Sequence, residues 1–223
     1  KVVCVGTDKS VSPLNTYGAT KLLMEKLFVT ASNYLRKDRH KTKFIALRYG
    51  NVLGSSGSVI PKFVEQIKEK KQITITDPNM TRFSITMNEA LDFILNSTEK
   101  GNGSEIFIPK LKSYSIFNVK EALFELLEKV GEKNIGIRIG EKMNEVLINQ
   151  DEMKYAWDTE DMYVVINPSI QNPYEFEKLN SYKKLEMDKE YSSDNVEKIG
   201  KEELKKAIMD SGIIKKNLST DEQ

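Results

Sequence analysis

Apolar residues recur along this chain with two alternating periods. Short continuous runs, VVCV at 2–5, FIAL at 44–47 and EIFIP at 105–109, predict buried strands because each is brief and bounded by polar or turn-forming residues. Between them the spacing lengthens to that of a helix. Asn15 or Thr16 can cap a helix running to about residue 36, and Pro61 suits the first turn of another through FVEQIKEKK. Ala90, Leu91, Phe93, Ile94 and Leu95 mark a third. Val119, Leu123, Leu126, Leu127 and Val130 mark a fourth, with Gly131 as its stop. ITIT at 73–76 and RFSIT at 82–86 read as short strands around the turn DPN, IGIRIGEK as a strand ending in a turn and a short helix, and MYVVIN at 162–167 as a strand. After Pro168 the chain turns polar and lysine-rich, which predicts an extended tail with a small helix near 201–209. Strand–helix alternation of this kind predicts an α/β fold with a mostly parallel sheet. Chemistry in such folds sits beyond the carboxyl ends of the strands, where the loops after VVCV and FIAL fall.

Composition narrows the function. The 223 residues carry 34 Lys and Arg against 33 Asp and Glu, so no basic surface argues for a nucleic-acid partner. The KEKK run at 68–71 is a solvated helix end. A single cysteine, Cys4, excludes an internal disulfide framework, suits a reducing compartment and lies in a core strand. One Cys and one His, the latter in the polar stretch RKDRHKTK, do not make a structural zinc site. No apolar run approaches the roughly 18 residues of a membrane helix. A cytoplasmic protein without a membrane partner is expected.

The stretch TDKSVSPLNTYGATK carries the candidate chemistry. Tyr17 and Lys21 are four residues apart at the start of a helix and share a face. A free tyrosine is a poor base at neutral pH, but a neighbouring ammonium favours the phenolate, so such a pair can accept a proton from an alcohol. The spacing alone also fits a tyrosine packed at a helix end beside a solvated lysine; a second instance, Tyr174 and Lys178, has no comparable context. Asp8 and Lys9 likewise read as an exposed loop pair if taken alone. GNVLGSSGS lacks the Lys-Ser/Thr of a P-loop, which removes an ATPase reading.

Thr7, ten residues before Tyr17 at the end of a strand, completes the arrangement of the short-chain dehydrogenase/reductase superfamily. The longer stretch closely resembles the inverting UDP-N-acetylglucosamine 4,6-dehydratases, extended members of that superfamily active in surface-polysaccharide biosynthesis. Tyr17 stands where membrane-linked relatives carry Met. RYGNVLGSSGSVIP, ITDPNMTRFSIT, GSEIFIPK, IGIRIGEKMNEV and, more loosely, EYSSDN resemble the same family in the same order. Ile139 departs from the pattern, which often has Pro there.

The resemblance implies a partial doubly wound, Rossmann-type sheet lacking its first strands, with a smaller C-terminal substrate-binding region. It divides the chain into 1–52, the second half of the nicotinamide-binding fold with the catalytic residues; 53–167, substrate-binding and interwoven with the last strands; and 168–223, an extension. The implied reaction oxidises the C4 hydroxyl of a UDP-sugar, eliminates water across C5 and C6, and returns the hydride at C6. The cofactor is usually NADP, with NAD the alternative. Tyr17 would take the C4 hydroxyl proton, Lys21 would assist it and hold the nicotinamide ribose, and Thr7 would bond the same hydroxyl. Asp8 would protonate the departing hydroxyl and Lys9 would act as base at C5. Asn51 would contact substrate and Val52 the nicotinamide. Ser56, Gly57, Ser58, Val59 and Ile60 would line the nucleotide end, Arg82 and Arg138 the diphosphate, and Tyr191, Ser192 and Ser193 the substrate.

No strand followed by G-x-x-G-x-x-G, the pyrophosphate fingerprint of such folds, occurs in the chain. The expectation is therefore a portion of a complete dehydratase that forms a homo-oligomer at full length. A split gene with a separate N-terminal chain, a non-catalytic nucleotide-sugar binder, and an epimerase or reductase using Tyr17 and Lys21 are the alternatives.

Overall fold

The computed structural model describes residues 1–36, 39–166 and 182–216. In chain order its elements are β1 (Val2–Val5), a 3-10 turn (Asp8–Ser10), α1 (Thr16–Ala31), β2 (Phe44–Leu47), β3 (Asn51–Val52), α2 (Val59–Lys68), β4 (Ile73–Ile75), β5 (Thr81–Ile85), α3 (Met87–Lys100), β6 (Glu105–Pro109), β7 (Ser113–Ser115), α4 (Ile116–Leu126), β8 (Glu132–Asn134) and β9 (Val146–Ile148). A second 3-10 turn (Glu152–Tyr155), β10 (Ala156–Asp158), β11 (Met162–Ile166), β12 (Lys183–Lys184), β13 (Tyr191–Ser192), α5 (Lys201–Asp210) and α6 (Ile213–Lys216) follow. The chain divides into two compact units. One comprises Lys1–Gly50, Leu91–Lys110 and Val146–Ser192, the other Asn51–Ala90, Leu111–Glu145 and Ser193–Gln223.

The first unit is built on a six-stranded sheet in the order β1-β2-β6-β11-β10-β12. β1, β2 and β6 run parallel, with Cys4 opposite Ala46 and Ala46 opposite Ile106. Alternation along these strands sends side chains to two faces. Ile45, Leu47, Phe107, Met162, Val164 and Ile166 share one face and pack with Phe93 of α3. Phe44, one residue out of phase, points the other way, where its ring meets Phe28 of α1 edge-on at 6.1 Å. Helices thus cover both faces of the parallel strands, the doubly wound arrangement that the resemblance implies.

From β6 onward the sheet departs from the mostly parallel expectation: β11, β10 and β12 are each antiparallel to their neighbours. The connection from β10 to β11 is residues 159–161, closed by Thr159, whose hydroxyl donates to the Met162 carbonyl at 2.8 Å. A link that short can only reverse the chain.

The second unit has its own core. Ile60, Phe63, Val64 and Ile67 of α2 join Val119, Ala122 and Leu123 of α4 and Leu204 and Ile208 of α5. Two small sheets, β3-β5-β7 and the pair β4-β8, belong to this unit. Glu125 of α4 receives Lys201 and Lys205 of α5 at 2.5 and 2.9 Å on the surface.

Several element boundaries differ from the sequence reading. α4 ends at Leu126, five residues before Gly131, whose carbonyl instead accepts from the Ile73 amide at 3.0 Å. The strand expected in IGIRIGEK lies earlier, at β8, and no helix follows. Gly136 and Gly140 adopt left-handed φ of 75° and 79°, a conformation that interrupts a strand, and Ile137 and Ile139 lie exposed. α1 gives way to a 3-10 turn at Ser32–Tyr34 rather than continuing to residue 36. The stretch beyond 181 is not a plain extended tail, since it forms β12 and β13 before α5. Asn167, Pro168, Tyr174 and Lys178 lie outside the described residues.

The core account has a direct test. Phe63, fully buried at the centre of the second unit, should destabilise the protein by about 3–5 kcal/mol as Phe63→Ala, measured by urea unfolding. Glu125→Ala should shift the midpoint far less, because its lysine partners are solvated.

Candidate active site

The loop after β1 folds by local hydrogen bonds. Thr7 has extended backbone, φ −157° and ψ 155°, and caps the Asp8–Ser10 turn by accepting from the Lys9 amide at 3.4 Å. The Asp8 amide donates to the Tyr49 carbonyl at 3.1 Å, which ties the turn to the end of β2. Asp8 is fully buried. Its Oδ1 accepts from the Thr7 hydroxyl at 2.9 Å and from Lys9 Nζ at 3.0 Å. Its Oδ2 is buried and has no hydrogen-bond partner among the described residues. An unsatisfied buried oxygen costs about 1–3 kcal/mol, and such exceptions call for an explanation in function. The Lys9 side chain is about one-third exposed, 37%, so its ammonium reaches both this carboxylate and the surface.

α1 starts beside that turn. Asn15 caps it, its Oδ1 accepting from the Gly18 amide at 2.9 Å. Tyr17 is exposed, and Lys21 Nζ lies 5.8 Å from the centre of its ring. Gly18 permits the close approach of helix to loop. A Cβ there would lie 2.4 Å from the Lys9 carbonyl oxygen and 2.8 Å from Pro13 Cβ, distances no side chain tolerates. Thr7, Asp8, Lys9, Tyr17 and Lys21 therefore occupy one loop and the first turns of one helix, all in the first unit.

One group near these residues escapes the sequence reading. Arg48, directly after β2, is fully buried and uses all five guanidinium protons. Nε and Nη2 bond the Glu25 carboxylate at 2.9 and 2.6 Å, Nη1 and Nη2 the Glu152 carboxylate at 2.8 and 3.0 Å, and Nη1 also the Leu147 carbonyl at 2.8 Å. Burial works against the charge of Arg48, yet the two carboxylates outweigh it and raise its pKa. Burial likewise opposes the charge of Glu152, but the Arg48 charge and hydrogen bonds hold its carboxyl below the usual range. Ser10 connects this cluster to the turn: its hydroxyl donates to the Thr7 carbonyl at 2.7 Å and lies 3.3 Å from Glu25 Oε2. The available signal was Glu25, a carboxylate four residues after Lys21 and eight after Tyr17 on the same helix, with an arginine abutting an apolar strand.

The remaining predicted residues are distributed as follows. Tyr191 and Ser192 form β13 in the first unit; the Tyr191 hydroxyl donates to the Pro109 carbonyl at 3.2 Å and its ring meets Tyr163 edge-on. In the second unit, Asn51 and Val52 pair with Ser84 and Ile85 of β5. Ser56 and Gly57 lie in the loop before α2, Gly57 with φ 76°. Ser58 caps α2 without a side-chain bond, and its buried Oγ has no hydrogen-bond partner among the described residues. Val59 and Ile60 turn into the core, which leaves the Ile60 backbone alone for any ligand contact. Arg82 is buried: Nη1 bonds the Thr81 and Met143 carbonyls at 2.7 and 3.0 Å, and Glu141 and Glu145 lie at 3.6 and 3.9 Å. Arg138 is exposed in the turn between the two left-handed glycines. The Ser193 hydroxyl lies 2.6 Å from the Thr81 hydroxyl and accepts from the Glu145 amide at 2.9 Å.

The parallel strands β1, β2 and β6, covered on both faces and with a polar loop at a carboxyl strand end, define the first unit as part of a Rossmann-type fold. Residues 1–167 match the family described as "Polysaccharide biosynthesis protein", and the chain belongs to that family. It is 43% identical over 172 residues, 77% of this chain and 50% of the relative, to the UDP-N-acetylglucosamine 4,6-dehydratase (inverting) of Campylobacter jejuni. It is 35% identical over 219 residues, 98% of this chain and 64% of the relative, to the UDP-glucose 4-epimerase of Rickettsia rickettsii. Among solved structures, Pen from Bacillus thuringiensis superposes with a TM-score of 0.83 at 36% identity, covering 96% of this chain and 62% of that one. The chain thus spans between half and two-thirds of the length of these relatives. No helix among the described residues is long and apolar enough to cross a membrane.

Two outcomes follow from this geometry. In an ordinary helix Gly→Ala stabilises by about 1 kcal/mol. Gly18→Ala should instead destabilise by about 1–3 kcal/mol, because the new methyl meets backbone; urea unfolding gives the sign. Glu152 has a folded pKa below its unfolded value, so its contribution is complete above about pH 4.3 and is lost as pH falls through the lower folded value. The gap in urea midpoint between wild type and Glu152→Gln should be widest near neutrality and close as the pH drops below the carboxylate range.

Proposed function

We propose that this chain carries the proton-transfer residues of a nucleotide-sugar 4,6-dehydratase acting on UDP-N-acetylglucosamine with inversion at C5. The observation that supports this most is Asp8, buried beside Lys9 with one carboxylate oxygen engaged and the other lacking a donor among the described residues. A simple alcohol dehydrogenation or a 4-epimerisation needs a base and an orienting hydroxyl, which Tyr17, Lys21 and Thr7 supply. Elimination of water needs a further acid and a further base, and an adjacent carboxyl and amine suit those tasks.

The donor set fits a nicotinamide dinucleotide, NADP or in its place NAD: an exposed tyrosine with a lysine ammonium one turn away, beyond a parallel strand. Lys21 would hold the nicotinamide ribose and the Val52 backbone would lie beside the ring. When bound, that cofactor would accept the hydride from C4 and return it to C6 as C5 takes up a solvent-derived proton on the face opposite to the one it lost. Tyr17 takes the proton of the C4 hydroxyl while Thr7 hydrogen-bonds the same oxygen. The resulting ketone acidifies the C5 proton, which passes to the Lys9 amine, and Asp8 protonates the C6 hydroxyl as it leaves as water. Moving one proton from Lys9 Nζ to the Asp8 carboxylate, across their 3.0 Å contact, prepares acid and base together. The elimination then restores the ion pair. Asn51 and the stretch Ser56, Gly57, Ser58, Val59 and Ile60 are proposed for the substrate and its nucleotide end. For the diphosphate, exposed Arg138 is favoured over Arg82, whose guanidinium already holds two carbonyls. Tyr191, Ser192 and Ser193 are proposed as further substrate contacts.

Identity to a UDP-glucose 4-epimerase over nearly the whole chain favours a second reading, C4 epimerisation. The two diverge at Asp8 and Lys9. Incubating the protein that carries this chain with UDP-N-acetylglucosamine and NADP in deuterated water should give a 4-keto-6-deoxy product inverted and deuterated at C5. Asp8→Asn should lower turnover by about 10²–10⁴-fold. A C4 epimer without deuterium at C5, formed equally well by Asp8→Asn, would overturn the dehydratase assignment.

A further inference from the structure

We propose that Glu25 and Arg48 form a positioning clamp that sets the Tyr17–Lys21 helix in register with the Thr7–Asp8–Lys9 turn, so that the two halves of the proton-transfer machinery meet one substrate. This rests on the reading of those five residues as catalytic.

Three observations carry it. First, the clamp touches every element involved. Glu25 is on α1, in the two turns after Tyr17 and Lys21. Arg48 directly follows β2, its amide donating to the Phe107 carbonyl at 2.9 Å, and the next residue, Tyr49, accepts from the Asp8 amide. Ser10 belongs to the catalytic turn and reaches both the Thr7 carbonyl and Glu25. Second, the geometry is over-determined. Two planar forks share one guanidinium, which fixes the helix in translation and rotation rather than merely attracting it. Glu152, the second fork, is itself held by Asn149, whose side chain accepts from the Glu152 amide at 2.9 Å. Third, a buried cluster of two carboxylates and one guanidinium is a poor means of adding stability, since apolar replacements of such groups are often as stable or more so. What such a cluster supplies better than leucines is a defined orientation. Gly18 makes that orientation consequential: with no side chain between α1 and the Lys9 carbonyl, a small slip of the helix is transmitted directly to Lys9.

The experiment compares wild type with Glu25→Gln, Arg48→Lys, Ser10→Ala and, as control, Val29→Ala, a buried apolar truncation on the same helix. Amide hydrogen exchange is measured by NMR at Ser10, Val11, Gly18 and Ala19, and steady-state kinetics are run on the same samples. The expected result for Glu25→Gln and Arg48→Lys is at least tenfold faster exchange at those four amides relative to the rest of the unit. kcat should fall by about 10²-fold, the scale of an ångström misplacement, with KM for the nucleotide sugar within about twofold. Ser10→Ala leaves the forks intact and serves if the other two fail to fold; it should raise exchange at Ser10 and Val11 at an unchanged melting temperature. Val29→Ala should lower stability without selective exchange and without a kcat effect of that size. The clamp is refuted if the exchange changes in Glu25→Gln or Ser10→Ala match those of Val29→Ala, or if kcat holds while stability falls. A wild-type protein that folds but does not turn over UDP-N-acetylglucosamine would count against the dehydratase reading alone, and the exchange arm would still decide the clamp.

Discussion

A single buried guanidinium organises the first unit. Arg48 has no access to water, so each of its five protons must find an oxygen inside the protein. The oxygens come from a helix and, far along the chain from it, from a strand and the 3-10 turn that follows. Hydrophobic packing alone leaves such elements several near-equivalent ways to settle, because apolar contacts are not directional. A doubly forked arginine has one. The strand ends, the first turns of α1 and the Thr7–Asp8–Lys9 loop inherit their mutual placement from that requirement.

The second constraint is an absence of atoms. Gly18 lets helix backbone and loop backbone touch, and Asn15 satisfies the amide exposed at that point. Capping, close approach and the Thr7 bridge to Lys9 are all local, which explains how a cluster of polar groups persists at the end of an apolar strand. Within that turn Asp8 Oδ2 is buried without a hydrogen-bond partner among the described residues.

Much of this was legible in the residues. VVCV, FIAL and EIFIP became parallel neighbours because apolar runs of four or five residues between polar turns have few other fates. The gathering of Thr7, Asp8, Lys9, Tyr17 and Lys21 was legible because they lie within fifteen residues. Three things were not. The antiparallel pairing of β10 with β11 depends on a three-residue reversal whose signal, Thr159, is too small to stand out. The irregular course of IGIRIGEK was set by left-handed glycines, and the strand just before it by pairing of β8 with β4, a tertiary contact. The Glu25–Arg48–Glu152 cluster joins positions 23 and 104 residues apart, and no periodicity links them.

The open oxygen of Asp8 bears on the choice of inhibitors. Most carboxylates surrender bound water before they accept a ligand, and that dehydration offsets much of the new hydrogen bond. Here burial in the fold already removes this oxygen from solvent. On the proposed function, a compact hydroxyl or amine presented to this oxygen would donate to it in a desolvated setting, whereas the exposed Arg138 only donates and would need an acceptor.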